Sequence, residues 1–127
     1  MGDVALEYDL TEDERELAGM VRSFADEVVA PQSYASDRAH TLPLDVVAQM
    51  GHMGLFGLPF PEADGGQGGD VFALCLAIEA LGRVDQSIAI TLEAAVCLGA
   101  TPVHRFGTDA QKEAWLKPLA RGEKLGC

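Results

Sequence analysis

Val71-Phe72-Ala73-Leu74-Cys75-Leu76-Ala77-Ile78-Glu79-Ala80-Leu81-Gly82-Arg83-Val84-Asp85-Gln86-Ser87-Ile88-Ala89-Ile90-Thr91-Leu92-Glu93-Ala94-Ala95-Val96-Cys97-Leu98 is the stretch on which the fold turns. Its first half, Val71 to Arg83, is apolar nearly all round with Glu79 as its interior charge, and a helix of that kind is buried on most sides. Asp85 has the residue type to cap a second helix, from about Gln86 to Leu98. Between Gln86 and Val103 the only charged residue is Glu93, so this helix also belongs at the centre. The expected central pair is the helix carrying Phe72, Leu76 and Ile78 and the helix carrying Ile88, Leu92 and Val96. Two such helices in so short a chain imply that part of their surface packs against something outside it.

Toward the amino terminus, Thr11 and Glu14 have capping-box spacing, and Glu12, Asp13 and Glu16 place negative charge where a helix dipole favours it. A helix should start there. Leu17, Val21, Phe24 and Val28 form one apolar stripe that is expected to stop at Pro31. Pro43 suits the first turn of a second helix with Leu44, Val47 and Met50 inward, ended by Gly51 and Gly54. From Leu55 to Gly69 the chain reads as a loop dense in Gly and Pro, after which Asp70 caps the Val71 helix.

Toward the carboxy terminus, Thr101-Pro102 should restart the chain as a short helical turn ending at Phe106-Gly107. Thr108 and Gln111 repeat the capping-box spacing before a last helix that faces Trp115 and Leu116 inward and ends by Gly122. Leu125-Gly126-Cys127 reads as the opening of a strand. The fold class is therefore all-α, a bundle of five or six helices in one domain.

Composition removes several function classes. A net charge of −11 with no basic stripe is wrong for a nucleic-acid partner, whose phosphates are neutralised by Lys and Arg. Met1 to Asp9 has neither a basic n-region nor an apolar run, so it is not a secretory signal, and Leu6 stands where a myristoylation motif wants Ser or Thr. The two apolar stretches, interrupted by Glu79 and Glu93, look too short to span a bilayer, so no membrane insertion is expected. Cys75, Cys97 and Cys127 are odd in number and widely spaced, which suits reduced thiols in a cytoplasmic setting, two of them as core fillers.

The motifs that invite chemistry read blandly. Gly65-Gly66-Gln67-Gly68-Gly69 resembles a phosphate loop, but Val71 occupies a fingerprint glycine position, no Lys follows, and Asp64 and Asp70 would repel an anion. A tight connection needing backbone freedom fits better. His40, His52 and His104 lie far apart and lack the Glu-x-x-His repeats of a di-iron bundle, so no metal site is expected. Glu93 stands out as a lone carboxylate in an apolar helix, which must be paired, exposed along a strip, or set in the polar part of a cleft.

Four stretches in order resemble one family: Leu10-Thr11-Glu12-Asp13-Glu14 leading to Val29-Ala30-Pro31; Met53-Gly54-Leu55-Phe56-Gly57 running into Gly65-Gly66-Gln67-Gly68; Glu79-Ala80-Leu81-Gly82-Arg83-Val84-Asp85; and Phe106-Gly107-Thr108-Asp109-Ala110-Gln111-Lys112 through Gly122-Glu123-Lys124. Residues 10–127 thereby resemble the amino-terminal helical domain of flavin-dependent acyl-CoA dehydrogenases. The resemblance implies an enzyme about three times this length. Its middle β-domain would begin near residues 124–127, and its FAD and catalytic glutamate would lie in the later domains. It implies no catalytic or cofactor-binding residue in this chain, and no retained flavin. By the same resemblance the helix over Gln86 to Leu98 closes the far end of the acyl pocket, with Glu93, Ala94, Cys97 and Leu98 as the substrate-facing residues. The implied partners are an acyl-CoA and an electron-transfer flavoprotein, and the implied assembly is a homo-oligomer. A flavin oxidase or monooxygenase of the same fold, and a free-standing helical interaction module, are the competing readings.

Overall fold

The computed structural model describes residues 9–126, which form five helices and, among the described residues, no strand. Helix α1 covers residues 12–39 as an α-helical Glu12–Phe24, a wider π-helical Ala25–Val29 and an α-helical Ala30–Ala39. Helix α2 is Leu44–His52 and α3 is Val71–Gly82. Helix α4 is continuous over Gln86–Phe106, with π-helical geometry at Ala94–Ala100. Helix α5 covers residues 109–120, π-helical at Lys112–Leu116. The expected strand opening is not formed at Leu125 or Gly126, and Cys127 lies outside the described residues.

Each helix start follows its capping chemistry. Thr11 with Glu14 and Thr108 with Gln111 both make the reciprocal pair of hydrogen bonds that satisfies two otherwise orphaned amides. Asp70 accepts from the Ala73 amide at 2.8 Å, and Asp85 accepts from the Ser87 amide at 2.9 Å and the Ile88 amide at 3.2 Å.

Prolines behave differently from the sequence reading. Helix α1 does not stop at Pro31, and the chain does not restart at Thr101-Pro102. In α1, α4 and α5 alike, a π-helical segment ends two residues before a proline: Pro31, Pro102 and Pro118. Proline inside a helix lacks an amide and crowds the carbonyl four residues back. Widening the preceding turn re-routes the hydrogen bonds so that the helix continues. In α4 the amide and the hydroxyl of Thr101 both donate to the Val96 carbonyl, the hydroxyl at 2.8 Å.

Helix α3 lies between α1 and α4, and α5 packs on the second half of α4 and on the 55–57 turn. The α4 half of the expected contact is as read, since Ile88, Leu92 and Val96 are fully buried. The α3 half is not: Leu74, Ala77, Ala80 and Leu81 face the core, Phe72 is 48% exposed, and Leu76 and Ile78 are half-buried. An all-apolar helix carries no periodicity to distinguish its faces, so its sequence does not say which one turns inward. In α2 the expected Val47 and Met50 are buried together with Val46 while Leu44 is exposed, and in α5 the expected Leu116 is fully buried while Trp115 is 53% exposed.

The Gly-rich connection contributes to the core. Leu55, Phe56, Leu58 and Phe60 are buried, and the chain folds back so that Gly57 O accepts from Gln67 N, Phe60 O from Gly68 N and Leu58 O from Gly69 N. A Cβ at Gly66 would stand 2.1 Å from the Phe60 carbonyl oxygen, so only glycine fits.

Helix α4, at 21 residues, is long and apolar enough to cross a membrane by length and composition, which corrects the expectation that it is too short. Ile88, Leu92 and Val96 direct that apolarity into the interior of the domain.

Two outcomes follow in urea unfolding. Leu92→Ala should destabilise the chain by about 2–5 kcal/mol because the site is fully enclosed, whereas half-buried Ile78→Ala should cost less. Burial pushes the Asp85 carboxyl up, but hydrogen bonds from the Ser33 and Ser87 side chains and the Ile88 and Ser87 amides outweigh it and hold the group below its ordinary value of 3.8. A carboxyl depressed by folding stabilises above its unfolded value and loses that contribution as pH falls through the folded one. Asp85→Ala should therefore cost about 0.5–2 kcal/mol at neutral pH, and the gap to the parent chain should shrink as pH drops below 3.8.

Candidate functional site

Helix α4 carries the four residues expected to face a substrate, and the structure distributes them over three environments. Glu93 is half-buried and lines a groove of about 490 Å³ between α3 and α4, with Ile78, Glu79 and Gly82 on the α3 side and Gln86, Ala89 and Ile90 on its own helix. Of the options open to a lone carboxylate in an apolar helix, this is the polar edge of a cleft. Cys97, one turn later, lines a second cavity of about 220 Å³ whose walls include Phe60, Leu74 and Val96, with His104 and Arg105 at its other end. Ala94 is half-buried and Leu98 is 65% exposed, and neither lines these two cavities.

Helical spacing supplies one residue that the sequence reading missed. Ile90 is 52% exposed and precedes Ala94 and Leu98 by four and eight residues, so the three follow one another along α4. The spacing is legible in the sequence, but in a helix read as buried throughout it does not set Ile90 apart.

Of the two described cysteines, only Cys97 packs against the core. Cys75 is exposed and Cys97 half-buried. Burial pushes the Cys97 thiol up, and the Glu93 carboxylate and the Cys75 thiol add in the same direction. The thiolate is the reactive form, so Cys97 is unsuited to nucleophilic chemistry.

His104 sits against Phe60, ring centroids 5.3 Å apart, with its Nδ1 3.4 Å from Asp64 Oδ2 and without a hydrogen-bond partner. Among the described residues no three His, Cys, Asp or Glu side chains come together to hold a metal. The glycine loop offers no anion cradle, because the amides of Gly66, Gln67, Gly68 and Gly69 all donate to backbone carbonyls.

The arrangement is a set of partly exposed apolar helix faces, with the Glu79 and Glu93 carboxylates at the groove between α3 and α4. A family model described as the acyl-CoA dehydrogenase N-terminal domain matches residues 11–123. The chain belongs to this family. A probable acyl-CoA dehydrogenase of Bacillus subtilis is 40% identical over 121 residues, which cover 95% of this chain and 32% of that protein. A chain solved in work on the electron transferring flavoprotein of Acidaminococcus fermentans and flavin-based electron bifurcation superposes with a TM-score of 0.91 at 40% identity, covering 94% of this chain and 32% of that one. An acyl-CoA dehydrogenase of Bacillus anthracis, crystallised with FAD, is 31% identical with a TM-score of 0.81 over 93% of this chain and 20% of that one. The chain thus spans about a third of the length of the Bacillus subtilis relative. This acyl-CoA dehydrogenase domain is all-α as its sequence implies, with five helices.

Thiol labelling checks the site chemistry. At neutral pH Cys75 should be modified by a disulfide reagent well before Cys97, as read by peptide mass spectrometry, and raising the pH should narrow the difference.

Proposed function

We propose that this chain is the amino-terminal part of a flavin-dependent acyl-CoA dehydrogenase and that the outer face of α4 walls the far end of the acyl pocket. The observation that carries the pocket reading is the run of Ile90, Ala94 and Leu98, partly or largely uncovered on a helix whose opposite side is sealed into the core. Glu93 and Cys97 flank that run, one turn apart. The glycine-loop amides are already bonded to backbone carbonyls. On this reading FAD, which would take up the substrate hydride, and the base that removes the α-proton belong to the two thirds of the relatives' length that this chain does not span. What this chain supplies is shape and water exclusion around the acyl tail. The same reading makes acyl-CoA the substrate and an electron-transfer flavoprotein the acceptor. It places the middle β-domain from about residue 124, and the whole in the cytoplasm as a homo-oligomer that does not insert into a membrane.

The test has two parts. The purified chain should carry no flavin absorbance and oxidise no acyl-CoA. In the complete enzyme, Ala94→Phe should shorten the preferred acyl chain and Leu98→Ala lengthen it, each by a change in kcat/KM of about 10–200-fold per methylene gained or lost. An unchanged chain-length profile for both variants would remove the pocket assignment.

A further inference from the structure

Helices α3 and α4 are joined by the short turn at residues 83–85, and side chains shared across their seam give its register. A Cβ added at Gly82 would lie 3.5 Å from the Ala89 Cβ. One turn on, Ile78 and Glu79 line the same groove as Ala89 and Glu93. Beyond it, Val71 and Leu74 share the next cavity with Val96, Cys97 and Thr101. Each turn backward on α3 is thus met by a turn forward on α4, so the two helices run antiparallel. Cys75 lies one turn before Glu79 and Cys97 one turn after Glu93, and this register sets the two cysteines opposite each other where the two hollows join.

Packed helices have axes about 8–10 Å apart, with Cα atoms about 2.3 Å from each axis, which brings facing Cα atoms within the roughly 7 Å that a disulfide spans. Cys75 and Cys97 are both free thiols, the first exposed and the second half-buried. Burial first, and then the Glu93 carboxylate and the Cys75 thiol, push the Cys97 thiol up, so each cysteine is part of the other's surroundings. The two therefore differ in access to a reagent while sharing one seam.

We propose that Cys75 and Cys97 form a redox-sensitive pair whose disulfide ties α3 to α4. The oxidant is a low-molecular-weight disulfide, R–S–S–R. The exposed Cys75 attacks it as the thiolate, forming a mixed disulfide and expelling one R–S⁻, which takes up the proton that Cys75 lost. Cys97 is a poor nucleophile toward a reagent in solution, but here its target is held beside it, and an intramolecular step gains a high effective concentration. Its sulfur displaces the second R–S⁻, which takes up the Cys97 proton. One R–S–S–R thereby becomes two R–SH, and two protein thiols become one disulfide. In a reducing compartment the pair stays open, and it closes when such disulfides accumulate. Taken with the acyl-pocket reading of α4, on which this consequence rests, the closed link fixes the pocket wall at Cys97.

The test treats the folded chain with oxidised glutathione, alkylates the remaining thiols and digests with trypsin without reduction. Cleavage after Arg38, Arg83, Arg105 and Lys124 places Cys75, Cys97 and Cys127 in three different peptides. The peptide 39–83 should be recovered joined to 84–105, and a reductant should separate them. Cys127→Ser should keep that link. Cys97→Ser should instead hold glutathione on Cys75, leaving it at least about tenfold more slowly than in the unaltered chain. The oxidised chain should also unfold at a higher urea concentration than the reduced one, a rise that Cys75→Ser should lack. Circular dichroism establishes that each variant keeps its helices. Glutathione that stays on Cys75 of the unaltered chain while Cys97 is still alkylated, a link that runs to Cys127 or to a second molecule, or an oxidised chain no more resistant to urea than the reduced one would overturn the proposal. These readouts concern the isolated chain, so their failure leaves the pocket reading untouched, and that reading stands or falls on the chain-length profiles of the complete enzyme.

Discussion

Helix α4 can serve both the core and an outer surface only because it runs unbroken past Pro102. An ordinary α-helical turn would leave the Pro102 ring against the carbonyl of Leu98 and end or bend the helix there. The wide turn over Ala94–Ala100, with Thr101 bonded twice to the Val96 carbonyl, removes that conflict. One rod then carries Ile88, Leu92 and Val96 into the core and still reaches α5 with its last turn. The same device at Pro31 and Pro118 lets α1 and α5 keep their packing past a proline.

The glycine-rich connection between α2 and α3 is the second constraint. Its buried Leu55, Phe56, Leu58 and Phe60 complete the core beside α4 and α5, and this requires the backbone to fold back at van der Waals contact. Glycine at 66 makes that approach possible, and the amides used in doing so are the ones an anion would have needed. A sequence that looks like a ligand loop is here a packing element.

Placing the candidate site residues on the structure separates them by role. Leu98 and Ala94 continue the line begun by Ile90, while Glu93 turns toward the α3 groove and Cys97 toward Phe60 and His104. Burial first, and then the Glu93 carboxylate beside it, push the Cys97 thiol up, which disfavours the reactive thiolate.

The sequence by itself determined the helix starts at Thr11, Asp70, Asp85 and Thr108, because capping is a local reaction between a side chain and amides two or three residues away. It also determined the family, since the ordered motifs are covalent facts, and the buried stripe of α4 at Ile88, Leu92 and Val96. Only the tertiary structure decided which side of α3 is inside, because a helix apolar all round is assigned its face by its neighbours. It alone decided that Trp115 looks outward while Leu116 is sealed, and that prolines 31, 102 and 118 are absorbed rather than obeyed. A proline ends an isolated helix, but where packing on both sides of it is worth more than the distortion of one turn, the turn widens and the helix continues.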